Sequence, residues 1–182
     1  MKKHFLSIAV LGLFACSVFA QKEVAPVAPK MPMSEETKII TYEEVVNLEG
    51  VNKDELRIRL DAWFKGFFKN APSVLQEQTN DMMAGKHGFN IYKDVNGQKT
   101  NAGIVKYSFR IGIKDGKYKY TLTDIFLFQT PKLPIEKWMD ESSPTKVDNF
   151  NYLTQVDIFM KDFVSGLKKA MSEGKKVKKD DW

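Results

Sequence analysis

Alternation of apolar and polar residues is the strongest pattern in the chain, and it is clearest in YSFRIGIKDGKYKYTLTDIFLF, residues 107–128. Such a period of two marks strands with one buried face. Folding the segment about Asp115-Gly116 sets Ile113 against Tyr118, Ile111 against Tyr120, Phe109 against Leu122 and Val105 against Phe126 on one face. The same register places Lys114 with Lys117, Gly112 with Lys119, Arg110 with Thr121 and Ser108 with Thr123 on the other. A slip of one residue would mix the two sets, so the pattern specifies its own pairing. Asp115-Gly116 suits a two-residue type I′ turn, which needs positive φ at both positions. Only Asp124 breaks the sorting, falling opposite Tyr107 on the apolar face. There it reads as an edge carboxylate bonded to a hydroxyl or to backbone, the competing reading being a catalytic acid of raised pKa.

The flanking segments carry weaker versions of the same signals. Ile40, Tyr42, Val46 and Leu48 share a parity that predicts a first strand, with Glu43 and Val45 pointing the other way. Asn52 is placed to cap a helix, with Glu55 three residues on able to reach back to it. Leu56, Leu60, Trp63, Phe64 and Phe67 follow as one helical stripe, and Asn70-Ala71-Pro72 stops it. Strands are predicted over Val74–Thr79 and Lys86–Lys93, joined through Asn80-Asp81 and Met82-Met83. Asp94-Val95-Asn96-Gly97 reads as a turn; a calcium loop would need glycine and glutamate spacings that are not met. Pro131 and Pro134 end the strands, and residues 135–139 predict a short helical turn that buries Trp138. A last helix starts near Asp148 or Asn149, its stripe formed by Leu153, Val156, Met160, Phe163, Val164, Leu167 and Met171. The order strand, helix, four strands, helix predicts one α+β domain over residues 38–171, an antiparallel sheet of about five strands with two helices on one face.

Both ends of the chain differ from this body. Residues 1–20 contain Lys2 and Lys3, an apolar run from Phe5, and small residues at Ser17, Val18 and Ala20, the pattern of a signal peptide cut before Gln21. The apolar run is short for a membrane span. Leu13-Phe14-Ala15-Cys16 offers a lipoprotein alternative, acylated at Cys16, although Phe14 is bulky for that motif. Residues 21–37 hold three prolines and read as a flexible tether, and residues 172–182 as a charged tail. The 182 residues are 43% hydrophobic and 28% charged, enough for a packed core. Of 28 basic and 23 acidic side chains, the leader takes two lysines, and residues 168–182 take six lysines and three acids. The body between is left with 20 of each sign and is neutral, so the field that would draw a nucleic acid is missing.

The inventory of reactive side chains excludes several chemistries. Cys16 is the only cysteine, and His4 and His87 are the only histidines. A mature chain starting at Gln21 has no thiol for a disulfide or nucleophile and no Cys/His zinc set, and His87 reads as a strand histidine near a turn. Glycine-rich phosphate loops and a Gly-x-Ser-x-Gly elbow are absent from the sequence. No cofactor or metal is expected.

Residues 42–128 carry a family resemblance. Ala20-Gln21, Asp54-Glu55-Leu56, Ala62-Trp63 and Lys114 to Tyr118 match features of the secreted bacterial domain of unknown function 4468 family, which is described as having a fold like that of the TATA-box-binding protein (TBP). The resemblance implies a TBP-like α+β fold and a periplasmic or secreted bacterial protein, and it implies no catalytic residue. DNA binding does not follow from a shared fold.

Two functions remain. The first is a non-enzymatic binding module of the cell envelope, using the sheet face that no helix covers. Lys106, Arg110, Lys114, Lys117 and Lys119 would meet an anionic envelope glycan or protein there, with Ser108, Thr121 and Thr123 beside them. The second is a hydrolase of glycans or peptides with paired carboxylates drawn from Glu43, Glu44, Glu77, Asp124 and Asp157.

Overall fold

The computed structural model describes residues 27–173. The expected leader, residues 21–26 of the tether and most of the charged tail lie outside them. Strand β1 (Tyr42–Asn47) leads to helix α1 (Lys53–Phe67) and a single helical turn, α2 (Ala71–Val74). Strands β2 (Leu75–Gln78), β3 (Met82–Val95), β4 (Gln98–Lys114) and β5 (Lys117–Leu127) follow, then the two-residue β6 (Leu133–Pro134), a 3₁₀ turn (Ile135–Met139) and α3 (Lys146–Ser172). The antiparallel sheet runs β1-β5-β4-β3-β2, with β6 added to β5. Helix α1 therefore carries the chain from one edge strand to the other. The expected α+β class and the helix-covered sheet are present, with β6 bringing the strand count to six.

The long hairpin pairs as its alternation predicts from Lys114–Lys117 up to Ser108–Thr123. Beyond that point the register shifts, so that Val105 faces Leu127, not Phe126. Asp124 is the extra residue of this bulge. It adopts φ +53° and is exposed, and its carboxylate accepts a hydrogen bond from Ser108 Oγ at 3.2 Å. Ile125 takes the buried position that alternation assigns to Asp124. A bulge re-aims the strand by one residue, so the lone misplaced acid is neither buried nor poised as a catalytic acid.

The turn at Asp115-Gly116 is a second correction. Gly116 has φ +71°, whereas Asp115 is not at positive φ, so the turn is not type I′. The cause is tertiary. Lys53 N–H at the start of α1 donates to the Asp115 carboxylate at 2.8 Å, Gly116 N–H donates to Val51 O, and Leu48 N–H donates to Gly116 O. The β3–β4 turn is free of such neighbours. There Asn96 and Gly97 both take positive φ, 55° and 79°, as the dipeptide predicts.

Other expectations shift by short distances. Asn52 caps α1 by accepting from Glu55 N–H at 2.9 Å, but the Glu55 carboxylate bonds Arg59 and does not return to the cap. Helix α1 ends at Phe67, and Pro72 begins the extra turn α2 instead of terminating α1, because proline fits the first turn of a helix. Met82 and Met83 lie inside β3 and not in the connection before it. Part of the expected tether packs on the domain: Met31 is buried, Met33 bridges Ile40, and Ile40 N–H donates to Glu136 of the 3₁₀ turn. Trp138 is buried as expected, and the stripe of α3 covers the sheet beside α1, with Val164 at its half-buried margin.

Aromatic rings fill the space between helices and sheet. Phe163 of α3 contacts Trp63 and Phe67 of α1 edge-on, with ring centroids 4.9 and 5.1 Å away, and Tyr107 of β4 at 6.1 Å. His87 enters this cluster against the edge of Phe68. Its burial lowers its pKa, so the neutral imidazole is favoured.

Candidate functional site

The face of the sheet opposite the helices is laid out by the strand register. One row across it runs Met82, Gly112, Lys119, Val45, and the next runs Ala84, Arg110, Thr121, Glu43. Toward the β4–β5 turn a third row holds Lys114, Lys117 and Asn47. At the far end Lys106 pairs with Phe126, which pairs in turn with Pro134 of β6. All five predicted basic residues therefore share the uncovered face, but they do not form one constellation. Lys114, Lys117 and Lys119 line a hollow of about 640 Å³ with Met82, Gly112 and Val45. Arg110 lines a smaller one, about 380 Å³, with Lys86, Ser108, Thr121 and Thr123. Lys106 stands apart, its ammonium 3.5 Å from the centre of the exposed Phe128 ring.

The charges on this face are partly neutralised. Lys119 pairs with Glu43 at 3.0 Å and Arg110 with Glu77 at 3.8 Å, all four side chains being substantially exposed. Among the described residues Lys114 and Lys117 have no such carboxylate partner. Asp115, between them in sequence, is committed to the start of α1.

The candidate acids of a hydrolase are distributed differently. Glu44 points to the helix side of β1, where Lys168 donates to it at 2.5 Å and Tyr120 Oη at 2.8 Å. The Lys168 ammonium, followed by the Tyr120 hydroxyl, holds this carboxyl below its ordinary range. Asp157, buried on α3, accepts from Tyr42 Oη at 2.9 Å and Lys161 Nζ at 2.6 Å. Burial and then the Asp157 bond push the Tyr42 phenol far above its ordinary value. With Glu43, Glu77 and Asp124 engaged as above, each of the five acids has a partner of its own. Glu44 and Asp157 tether α3 to β1 and the sheet, the other three link strands within the sheet, and Glu44 is shifted in the direction opposite to that of a general acid.

Sequence reasoning missed Met82 as part of this face, and it placed Gly112 there opposite Lys119 without reading it as a hollow. Met82 reads as linker until β3 is seen to begin there, and without Met82 beside it Gly112 gives no sign of a recess. Val45 had a visible signal, an apolar residue on the outward parity of β1. Among the described residues no three His, Cys, Asp or Glu side chains cluster to hold a metal ion, and no helix is long and apolar enough to cross a membrane.

Comparison with known proteins agrees with the expected family. Residues 42–127 match the family model described as "Domain of unknown function (DUF4468) with TBP-like fold". Two crystal structures share the fold. One is of a TBP-like protein from Parabacteroides distasonis, with 18% identity and a TM-score of 0.62 over 79% of this chain and 98% of that one. The other is of a DUF4468 family protein from Bacteroides ovatus, with 14% identity and a TM-score of 0.59 over 79% of this chain and 91% of that one. No curated protein matches.

Proposed function

We propose that the protein is an exported envelope component that acts as a non-enzymatic binding module and meets an anionic partner through the open face of its sheet. The observation that carries this reading is the placement of Lys106, Arg110, Lys114, Lys117 and Lys119 on the face that neither α1 nor α3 covers. Antiparallel sheets often present a polar face to water alone. Here that face is hollowed and carries two lysines without ion-pair partners among the described residues, which favours a ligand over plain solvation. Ammonium and guanidinium groups recognise carboxylates and phosphates by charge-assisted hydrogen bonds, so acidic glycans or acidic proteins are the partner class. Export rests on the pattern of residues 1–20, with anchoring through Cys16 as the alternative, and the intact mass of the exported protein separates a Gln21 terminus from an acylated one.

The test of the site is the double variant Arg110→Ser/Lys119→Ser. Neither side chain fills the core, and exposed ion pairs contribute within about 0.5 kcal/mol each, so the urea midpoint should barely move. Retention on immobilised polygalacturonate or poly-glutamate should fall and become less sensitive to salt. Unchanged retention on both polymers in this double variant and in Lys114→Ser/Lys117→Ser excludes this face as the site.

A further inference from the structure

Near the β4–β5 turn the open face is pitted. Gly112 stands between Met82 and Lys119, and a methyl group at its Cα would meet nothing nearer than the Asp81 carbonyl oxygen at 3.9 Å. The absent side chain leaves the hollow of about 640 Å³, a size suited to a small molecule. Its walls are of two kinds. Met82 and the exposed Val45 supply apolar surface on either side of Gly112 and Lys119, and a polarisable thioether adapts readily to ligand shape. Lys114 and Lys117 supply charge at the turn end, directly opposite one another.

That opposition is the informative feature. Like charges facing each other across a strand pair are destabilising unless an anion lies between them. The nearby acids are all occupied: Asp115 accepts from Lys53 N–H, Glu43 holds Lys119, and Asp81 accepts from the Thr79 hydroxyl. Three lysines and one carboxylate, Asp81, line the hollow, so it carries a net positive charge.

We propose that this hollow binds a small organic anion, its charged group held between the Lys114 and Lys117 ammoniums and its apolar body lying over Gly112 against Met82 and Val45. This rests on the reading that the open face meets anions, and it adds the ligand's chemistry and position. An anion without an apolar body would leave Met82 and Val45 in water, and an uncharged one would leave the two lysines opposed.

The probes are 1-anilinonaphthalene-8-sulfonate and its uncharged relative N-phenyl-1-naphthylamine, titrated into the full-length mature protein. Fluorescence measures affinity, and amide shifts at Gly112 and Lys114 locate the probe. The sulfonate should bind saturably at this site, at least tenfold more tightly than the uncharged probe. Gly112→Leu projects a side chain into the floor of the hollow, where the ligand's apolar body would lie, and should weaken sulfonate binding at least tenfold. Lys114→Ser/Lys117→Ser, which leaves the hollow open, should weaken the sulfonate by a similar factor and leave the uncharged probe unaffected. Sulfonate binding that survives either variant, equal affinity for the two probes, or amide shifts elsewhere overturns the proposal. Polyanion retention measured on Gly112→Leu keeps the two readings apart. A Gly112→Leu variant that keeps the polymer and loses the sulfonate supports the hollow, a parent protein that retains the polymer without saturable sulfonate binding removes the hollow and leaves the face, and loss of polymer binding in Arg110→Ser/Lys119→Ser tests the face itself.

Discussion

The helix-covered face of the sheet and its open face are built from the same strands, and two glycines show how differently they are packed. Gly85, on β3, faces the helices: a methyl group there would lie 2.2 Å from the Val74 carbonyl oxygen and 2.7 Å from the Phe109 ring. Backbone and ring have closed over it. Gly112, on the neighbouring strand but facing outward, would give a methyl group only an ordinary contact with the Asp81 carbonyl oxygen at 3.9 Å. On one face the missing side chain allows tight packing among Phe64, Phe68, Phe109 and Phe163; on the other it leaves a hollow ringed by lysines. Glycine in a strand carries a similar intrinsic cost wherever it stands. What differs is whether surrounding atoms have used the space, so the covered face carries stability and the open face has room for a ligand.

That contrast can be broken most severely at Phe163. The ring is fully buried among Trp63, Phe67, Phe68, Tyr107 and Phe109, and Phe163→Ala should cost about 3–5 kcal/mol, the range for truncating a core aromatic. Urea unfolding measures it, and a loss below about 1 kcal/mol would mean that the aromatic cluster is not the core. The glycine pair sharpens the comparison at intermediate size. Gly85→Ala overpacks against a backbone atom and should cost about 1–3 kcal/mol, while Gly112→Ala should lie within about 0.5 kcal/mol of the parent, on the stabilising side. Equal effects at the two positions would remove the distinction between the faces.

The smallest expected effect is a pH slope confined to the covered face. Burial lowers the folded-state pKa of His87 below its ordinary 6.5. Above that value both states are neutral and His87 contributes no slope. As the pH falls through 6.5 the unfolded chain takes up the proton first, so stability should decline from about pH 7 downward. His87→Gln should flatten this part of the profile, and an identical slope in the variant would assign it to other groups. Glu44 acts with the same sign at lower pH: its depressed pKa gives stability that is present above the ordinary carboxylate value of 4.5 and lost as pH drops through the folded-state value.

The covered face was the more legible of the two in the sequence. A period of two is a local property, so the pairing from Ile113–Tyr118 to Phe109–Leu122 could be derived before any neighbour of that hairpin was known. The stripes of α1 and α3 were readable for the same reason. The misfit of Asp124 was visible too, but a bulge and a half-buried acid leave the same trace in an alternating pattern, and backbone geometry had to distinguish them. For the open face, the residues and their shared side were legible, while their division into a hollow at Gly112, an Arg110 cluster and a solitary Lys106 was not.

The same division separates the two hairpin turns. Asn96-Gly97 projects free of other elements, so local preference decided it: both residues take positive φ as the dipeptide predicts. Asp115-Gly116 has comparable local preferences, but Lys53, Val51 and Leu48 compete for its carboxylate and backbone groups and hold Asp115 out of positive φ. Hydrophobic period, caps and turn residues act over a few neighbours, and by themselves they determined the existence of the main strands and the two long helices and the long hairpin's pairing as far as Ser108–Thr123. Strand order, the Tyr42–Asp157 and Glu44–Lys168 tethers across more than a hundred residues, and the hollow between Met82, Gly112 and Val45 depend on segments distant in the chain. Tertiary packing alone brings those segments within reach, because no short-range preference encodes which distant strand becomes a neighbour.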